Sequence, residues 1–248
     1  MPEDVYIRSL VLAGGMSSRM GSPKYRLQTA IPPQASVPMI AKIIKVHQIC
    51  QDYRKDILRF DTMISTRDAC QDEEIETLLS NSIIEQTRVH YTYDRIPDHG
   101  PASGLIRAHE LDPKAHWLVT GCDYPLLEVE TLLALISEHL DVEKAITCFS
   151  NFEGWNEPLL AIWSPTALSR MQDLSQKASA IGPNRVIREY ATTEAHVVSK
   201  DAFCYGVHII KPAKESWLRS TDTKADWEAV QSELLSNRTW KCTTRAQT

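Results

Sequence analysis

The densest set of chemically useful residues lies near the N-terminus, in Leu12-Ala13-Gly14-Gly15-Met16-Ser17-Ser18-Arg19-Met20-Gly21-Ser22-Pro23-Lys24. It follows the apolar run Ile7 to Leu12, which reads as a buried strand. A strand that opens into glycines, small hydroxyls and two cations leaves free backbone N–H groups. Gly14 and Gly15 let the main chain approach a phosphate, and Arg19 and Lys24 supply positive charge. The spacing is neither a Walker loop nor a dinucleotide fingerprint, since GxxxxGKS/T and GxGxxG are both absent.

Further along, Asp123 in Gly121-Cys122-Asp123-Tyr124-Pro125 directly follows an apolar run. A carboxylate there can hold a hard cation such as Mg2+, or can brace a turn through its own backbone. Asp94 has the same placement and reads equally as half of a surface Asp94-Arg95 pair. Gly100-Pro101-Ala102-Ser103-Gly104-Leu105 combines small residues with a helix start, where a base or sugar can lie against backbone. Asn156, in Asn156-Glu157-Pro158-Leu159, can hydrogen-bond a substrate or simply form a turn. Arg185 can reach a phosphate or face solvent. Asp222, in Ser220-Thr221-Asp222-Thr223, suits the cap of the last helix as well as any functional role. The histidines show no ligand spacing, and Cys122 has no neighbouring base, so packing is its expected role.

Those residues need elements to hold them. Strands are expected over Ile7–Leu12, Ile57–Ser65, Arg88–Tyr93, His116–Thr120, Ala145–Phe149, Leu159–Trp163, His196–Ser199 and Phe203–Ile210. Helices are expected over Met39–Gln48, Glu73–Leu79, Ser103–Leu111, Glu128–Leu140, Ser164–Leu174, Gly182–Tyr190 and Lys224–Leu235. Gln28 to Pro38 contains three prolines and reads as an exposed connection. This alternation predicts an α/β fold with a mostly parallel sheet covered on both faces. Ligands of such sheets sit at the carboxyl ends of the strands. Gly14, Asp94 and Asp123 all follow expected strands, so they are expected to share one site.

The chain has 248 residues with 43% hydrophobic and 24% charged, ordinary for a globular protein. A net charge of −5 argues against broad nucleic-acid binding. The six cysteines are scattered without a CxxC pair, which points to reduced thiols in a cytoplasmic compartment. The acidic start Met1-Pro2-Glu3-Asp4 is not a signal peptide, and no apolar run is long enough to span a membrane. No internal repeat or linker is evident. One domain over 1–236 is expected, with a polar, frayed tail over 237–248.

Together these residues resemble the MobA-like nucleotidyltransferases, the family of molybdenum cofactor guanylyltransferase. Leu12-Ala13-Gly14-Gly15 with Ser18-Arg19-Met20-Gly21 and Lys24 resembles the family's LAGGxSxRMGxxK loop. Asp94 followed by Gly100-Pro101-Ala102-Ser103-Gly104-Leu105 is similar to its D…GPxxGL segment, and Cys122-Asp123-Tyr124-Pro125-Leu126 to its CDxPxL turn. Glu157-Pro158-Leu159 resembles the entry to a central strand. Beyond residue 163 the likeness thins. Gly182-Pro183-Asn184-Arg185-Val186 resembles a glycine–arginine turn, and Thr221-Asp222-Thr223-Lys224 resembles a VNTPEDL motif with Asp222 in place of the usual Asn.

The resemblance implies a single Rossmann-like three-layer domain of the nucleotide-diphospho-sugar transferase type. It implies transfer of GMP from GTP to molybdopterin, with release of pyrophosphate. Leu12, Ala13, Gly14, Gly15, Arg19 and Lys24 would then bind the triphosphate, with Lys24, Arg19 and Asp123 the catalytic groups. Asp123 and Asp222 would hold Mg2+. Asp94, Gly100, Pro101 and Gly104 would face the base and ribose, and Asn156, Pro158 and Arg185 the acceptor. Partner proteins of cofactor biosynthesis fit the same picture. Cytidylyl transfer, transfer to a sugar phosphate, and a non-catalytic nucleotide-binding module remain as alternatives.

Overall fold

The computed structural model describes residues 5–15, 17, 20–31, 34–82, 84–93, 100–177, 182–193, 203 and 205–244. Its strands are β1 (Ile7–Leu12), β2 (Gln28–Ile31), β3 (Gln34–Pro38), β4 (Thr62–Thr66), β5 (Val89–Tyr93), β6 (His116–Gly121), β7 (Ile146–Ser150), β8 (Asn156–Trp163) and β9 (Val207–Ile210). Its α-helices are α1 (Met39–Tyr53), α2 (Ala69–Ser80), α3 (Pro101–Leu111), α4 (Val129–Val142), α5 (Pro165–Ser175), α6 (Pro183–Thr193) and α7 (Lys224–Thr244).

Among the described residues seven strands form one sheet in the order β5-β4-β1-β6-β8-β7-β9. The residues of β4, β6 and β7 are all buried, as expected of strands covered on both faces. The expected mostly parallel sheet is therefore present, with β8 as its reversed member. It pairs antiparallel with β6 and with β7, so Trp163 lies opposite both Trp117 and Ile146.

Two apolar layers sandwich the sheet, giving the expected three-layer arrangement. One joins Ile40, Ile43 and Ile44 of α1 to Ile75, Leu135, Trp227 and Val230 from α2, α4 and α7. The other joins Leu105 of α3, Leu168 and Met171 of α5, and Val186 and Ile187 of α6 to Trp117 and Trp163. Local signals fix the helix starts. The Asp68 side chain accepts from the Gln71 amide ahead of α2, and Ser164 accepts from the Ala167 amide with Pro165 at the first position of α5.

Three local expectations are corrected. Gln28 to Pro38 is not a bare connection: β2 and β3 pair as an antiparallel hairpin, with Thr29 opposite Val37. Thr29 and Val37 are both buried. Pro38 lies at the end of β3, where a missing N–H costs little. The strand expected from Ile57 is split, because Leu58 makes only an isolated bridge to Ile7 and Phe60 turns to φ +67° before β4 begins. The last helix continues beyond Leu235 to Thr244. The strand expected over 196–199 lies outside the described residues. Among the described residues no helix is long and apolar enough to cross a membrane.

Candidate active site

β1 and β6 lie side by side and parallel, with Leu12 opposite Gly121. The Gly14 and Asp123 loops therefore leave one edge of the sheet together. The Cys122 amide donates to the Leu12 carbonyl (3.1 Å), and the Ala13 amide donates to the Ser65 carbonyl (2.9 Å). Beyond these, the Gly14 and Gly15 amides have no hydrogen-bond partner among the described residues.

The loop then turns back on itself. Ser17 and Gly21 adopt φ of +50° and +72°, and the Ser17 hydroxyl accepts from the Lys24 amide at 3.1 Å. The next residue, Tyr25, is buried. Its hydroxyl donates to Glu74 of α2 at 2.9 Å, and Arg26 pairs with the same carboxylate. These contacts pin the short 3₁₀ turn that carries Lys24.

The Lys24 ammonium donates to Asp123 Oδ2 at 2.8 Å and to Asp222 Oδ1 at 2.6 Å. Three residues from distant parts of the chain thus meet at one point. The Lys24 and Asp123 side chains are 14% and 21% exposed, while Asp222 is 43% exposed. Burial alone lowers the Lys24 pKa, but the charge of Asp123 and the hydrogen bonds to both aspartates raise it above the ordinary lysine value. Asp222 is held in place because the Thr221 amide donates to the Asp123 carbonyl at 3.1 Å.

Capping is not the role of Asp222. Thr223 and Asp226 cap α7 reciprocally: the Thr223 amide donates to Asp226 Oδ2 at 2.7 Å, and the Asp226 amide to Thr223 Oγ1 at 3.2 Å. The Asp222 side chain instead takes part in the Lys24 cluster.

Several residues that sequence reasoning passed over support this cluster. A Cβ on Gly121 would stand 2.6 Å from Asp123 Oδ1, so glycine is what lets that carboxylate fold back over the strand end. The hydroxyl of buried Tyr124 donates to Glu157 Oε2 at 3.0 Å, tying β8 to the Asp123 turn. Burial raises the Glu157 pKa; the Tyr124 bond opposes this, and Asp123 and Asp222 push it further up. Lys42 of α1 donates to the Pro125 carbonyl, and burial lowers its pKa to about 8. The available signals were Tyr124 inside the Asp-Tyr-Pro turn and Glu157 beside Pro158.

Other expected residues are more dispersed. Gly100 sits at φ +56° immediately before Pro101, the first residue of α3, and both are exposed. Gly104 is buried, and a Cβ there would meet Leu12 Cδ2 and Ser65 Oγ at 2.6 Å, so it serves close packing of α3 on the sheet. Asn156 pairs with Ser150 at the start of β8. The Pro158 carbonyl accepts from Trp163 Nε1 at 3.1 Å, and Arg185 is exposed on α6. Arg19 and Asp94 lie outside the described residues.

The donor set suits a hard divalent cation. Two carboxylate oxygens converge on one positive group, and Mg2+ is commonly held by one or two carboxylates plus phosphate oxygens and water. Among the described residues there is no group of three or more His, Cys, Asp or Glu that could hold a metal ion.

A family model for the MobA-like NTP transferase domain matches residues 9–195. The chain belongs to that family. The chain is 23% identical over 225 residues to a protein of Natronomonas pharaonis named "probable molybdenum cofactor guanylyltransferase", covering 91% of this chain and 96% of that one. A Bacillus mycoides protein of the same name is 27% identical with the same coverage. In fold, the chain is similar to the crystal structure of molybdopterin-guanine dinucleotide biosynthesis protein A from Archaeoglobus fulgidus. The TM-score is 0.65 at 15% identity, covering 93% of this chain and 99% of that one. The matched segment contains Lys24 and Asp123 and ends before Asp222.

Proposed function

We propose that this MobA-like transferase moves GMP from GTP to molybdopterin, or its molybdenum-bearing form, and releases pyrophosphate. The observation that carries the reading is the convergence of Lys24, Asp123 and Asp222 at the carboxyl edge of β1 and β6. The relatives' names support the choice of nucleotide and acceptor.

In this reading a phosphate oxygen of the acceptor attacks the α-phosphorus of GTP. The α–β P–O bond breaks, and pyrophosphate leaves with the bonding electron pair. No protein nucleophile is needed, so the chain's work is positioning and charge stabilisation. The main chain of Leu12, Ala13, Gly14 and Gly15 receives the triphosphate, with Arg19 adding charge. Lys24 moves from the aspartates to the α-phosphate as negative charge grows there. Asp123 and Asp222 hold Mg2+, which when bound neutralises the phosphates and orients the leaving group. Asp94, Gly100 and Pro101 take the base and ribose, and Asn156, Pro158 and Arg185 the acceptor. Residues 1–236 act as one catalytic unit in the cytoplasm, supplied by other proteins of cofactor biosynthesis.

Pyrophosphate release with each of four nucleoside triphosphates, with and without molybdopterin, tests the reading. GTP with molybdopterin is expected to stand well above the rest. A preference for CTP or for a sugar phosphate would replace guanylyl transfer. Binding of GTP without turnover on any acceptor would replace catalysis.

A further inference from the structure

The turn between β7 and β8 displays two large aromatic rings to water, Phe152 at 60% and Trp155 at 70% exposure. This is an ordered display. The Asn151 amide donates to the Trp155 carbonyl at 2.9 Å and the Gly154 amide to the Asn151 carbonyl at 3.1 Å. The Trp155 amide donates to Asn151 Oδ1 at 2.9 Å, and Lys211 anchors the Asn151 carbonyl at 2.8 Å. Gly154 takes φ +89°, which lets the turn close so tightly.

Beside the Phe152 ring lies a cleft of about 210 Å³. Asn151, Phe152 and Glu153 from this turn line one wall, and Glu215, Leu218 and Arg219 from the segment before α7 line the other. Trp155 stands three residues along the same turn, outside the cleft lining. Both walls connect to the candidate active site. β7 runs in the same direction as β6, so the turn leaves the edge of the sheet that carries Asp123. Arg219 precedes Asp222 by three residues, a stretch spanning at most about 11 Å when fully extended. Glu157, two residues past Trp155, accepts from Tyr124 beside Asp123.

We infer that Phe152, Trp155 and this cleft bind the planar, nitrogen-rich ring of the acceptor. The inference rests on the transfer reading proposed above and adds how the acceptor is recognised. Aromatic faces favour stacking with a flat heterocycle. The carboxylates of Glu153 and Glu215 can accept from a donor edge such as the amino-pyrimidinone edge of a pterin. A sugar or alditol phosphate offers neither a flat π face nor that edge. The ring then lies on the Asp222 side of the site, and its phosphate can extend toward Lys24.

Pterin-6-carboxylate provides a probe that needs neither triphosphate nor turnover, through the quenching of its own fluorescence on stacking. Saturable binding to the wild type is expected. Phe152→Ala and Trp155→Ala should each weaken it at least about fivefold, while Trp155→Phe should retain most of it. In turnover, the same alanine variants should raise KM for molybdopterin and leave KM for GTP within twofold. Both side chains are exposed, so unchanged thermal unfolding is the check that the variants are folded. Equal pterin binding by the wild type and the double alanine variant overturns the inference even if transfer is normal. A loss of GTP affinity in parallel with acceptor affinity also overturns it. Aromatic-dependent pterin binding without any transfer would instead reject the transfer reading and leave the cleft as a pterin site.

Discussion

Lys24 and Asp222 are 198 positions apart in the chain, yet Lys24 Nζ lies 2.6 Å from Asp222 Oδ1. The same ammonium reaches Asp123 at 2.8 Å, so one cation bridges the two proposed metal ligands. A divalent ion at those carboxylates must compete with it. Lys24→Met is therefore expected to bind Mn2+ at least about tenfold more tightly than the wild type when no nucleotide is present. Its turnover should fall about a hundredfold or more, because charge developing at the α-phosphate loses its partner. Calorimetric Mn2+ titration and pyrophosphate release read the two effects separately. Unchanged Mn2+ affinity would mean that the lysine does not guard the carboxylates.

Asp222→Asn separates metal binding from helix capping. Because Thr223 and Asp226 cap α7, this change should shift the unfolding midpoint by less than about 2 °C. Mn2+ binding should weaken and turnover should fall. A large loss of stability would return Asp222 to a structural role.

The two close-packed glycines predict opposite phenotypes. Gly121→Ala places a methyl 2.6 Å from Asp123 Oδ1, so it should reduce turnover and Mn2+ binding with modest loss of stability. Gly104→Ala presses on Leu12 and Ser65 beneath α3 and should cost about 1–3 kcal/mol of stability. Urea unfolding of both variants beside their activities decides the matter.

These glycines also mark how far the sequence could be read. The Gly14 loop, the Asp123 turn and the alternation of strands and helices were legible because each is a local pattern in period or spacing. Gly121 looked like part of a turn, since nothing local says that its missing Cβ makes room for the next-but-one side chain. By its position before α7, Asp222 suits a cap as well as a ligand, and the reciprocal Thr223–Asp226 bonds are what exclude the cap. The β2–β3 hairpin was hidden by its prolines, which signal loop unless their exact ladder positions are known. Tyr124 with Glu157, and Lys42 with Pro125, depend on contacts across more than thirty residues. No period or motif reports such pairs.

Acid sensitivity follows from buried neutral histidines. Burial lowers the pKa of His47 to about 3 and of His116 to about 4. The unfolded chain takes up protons near 6.5 and the folded chain does not, so stability falls as pH drops from about 6.5 toward 4. His47 hydrogen-bonds Thr120 Oγ1 at 2.9 Å, a contact that glutamine can replace. His47→Gln should therefore flatten the decline of unfolding free energy over that range. An unaltered slope would mean that His47 ionises in the folded protein.

In the proposed reaction Asp123 stands at the point where the nucleotide is transferred. Pyrophosphate release by Asp123→Asn, measured with GTP, Mg2+ and molybdopterin, tests it most directly, with circular dichroism to show that the fold is intact. The isosteric amide should leave the fold unchanged and reduce turnover at least about a thousandfold. Turnover within a fewfold of the wild type, in a correctly folded variant, would contradict the account.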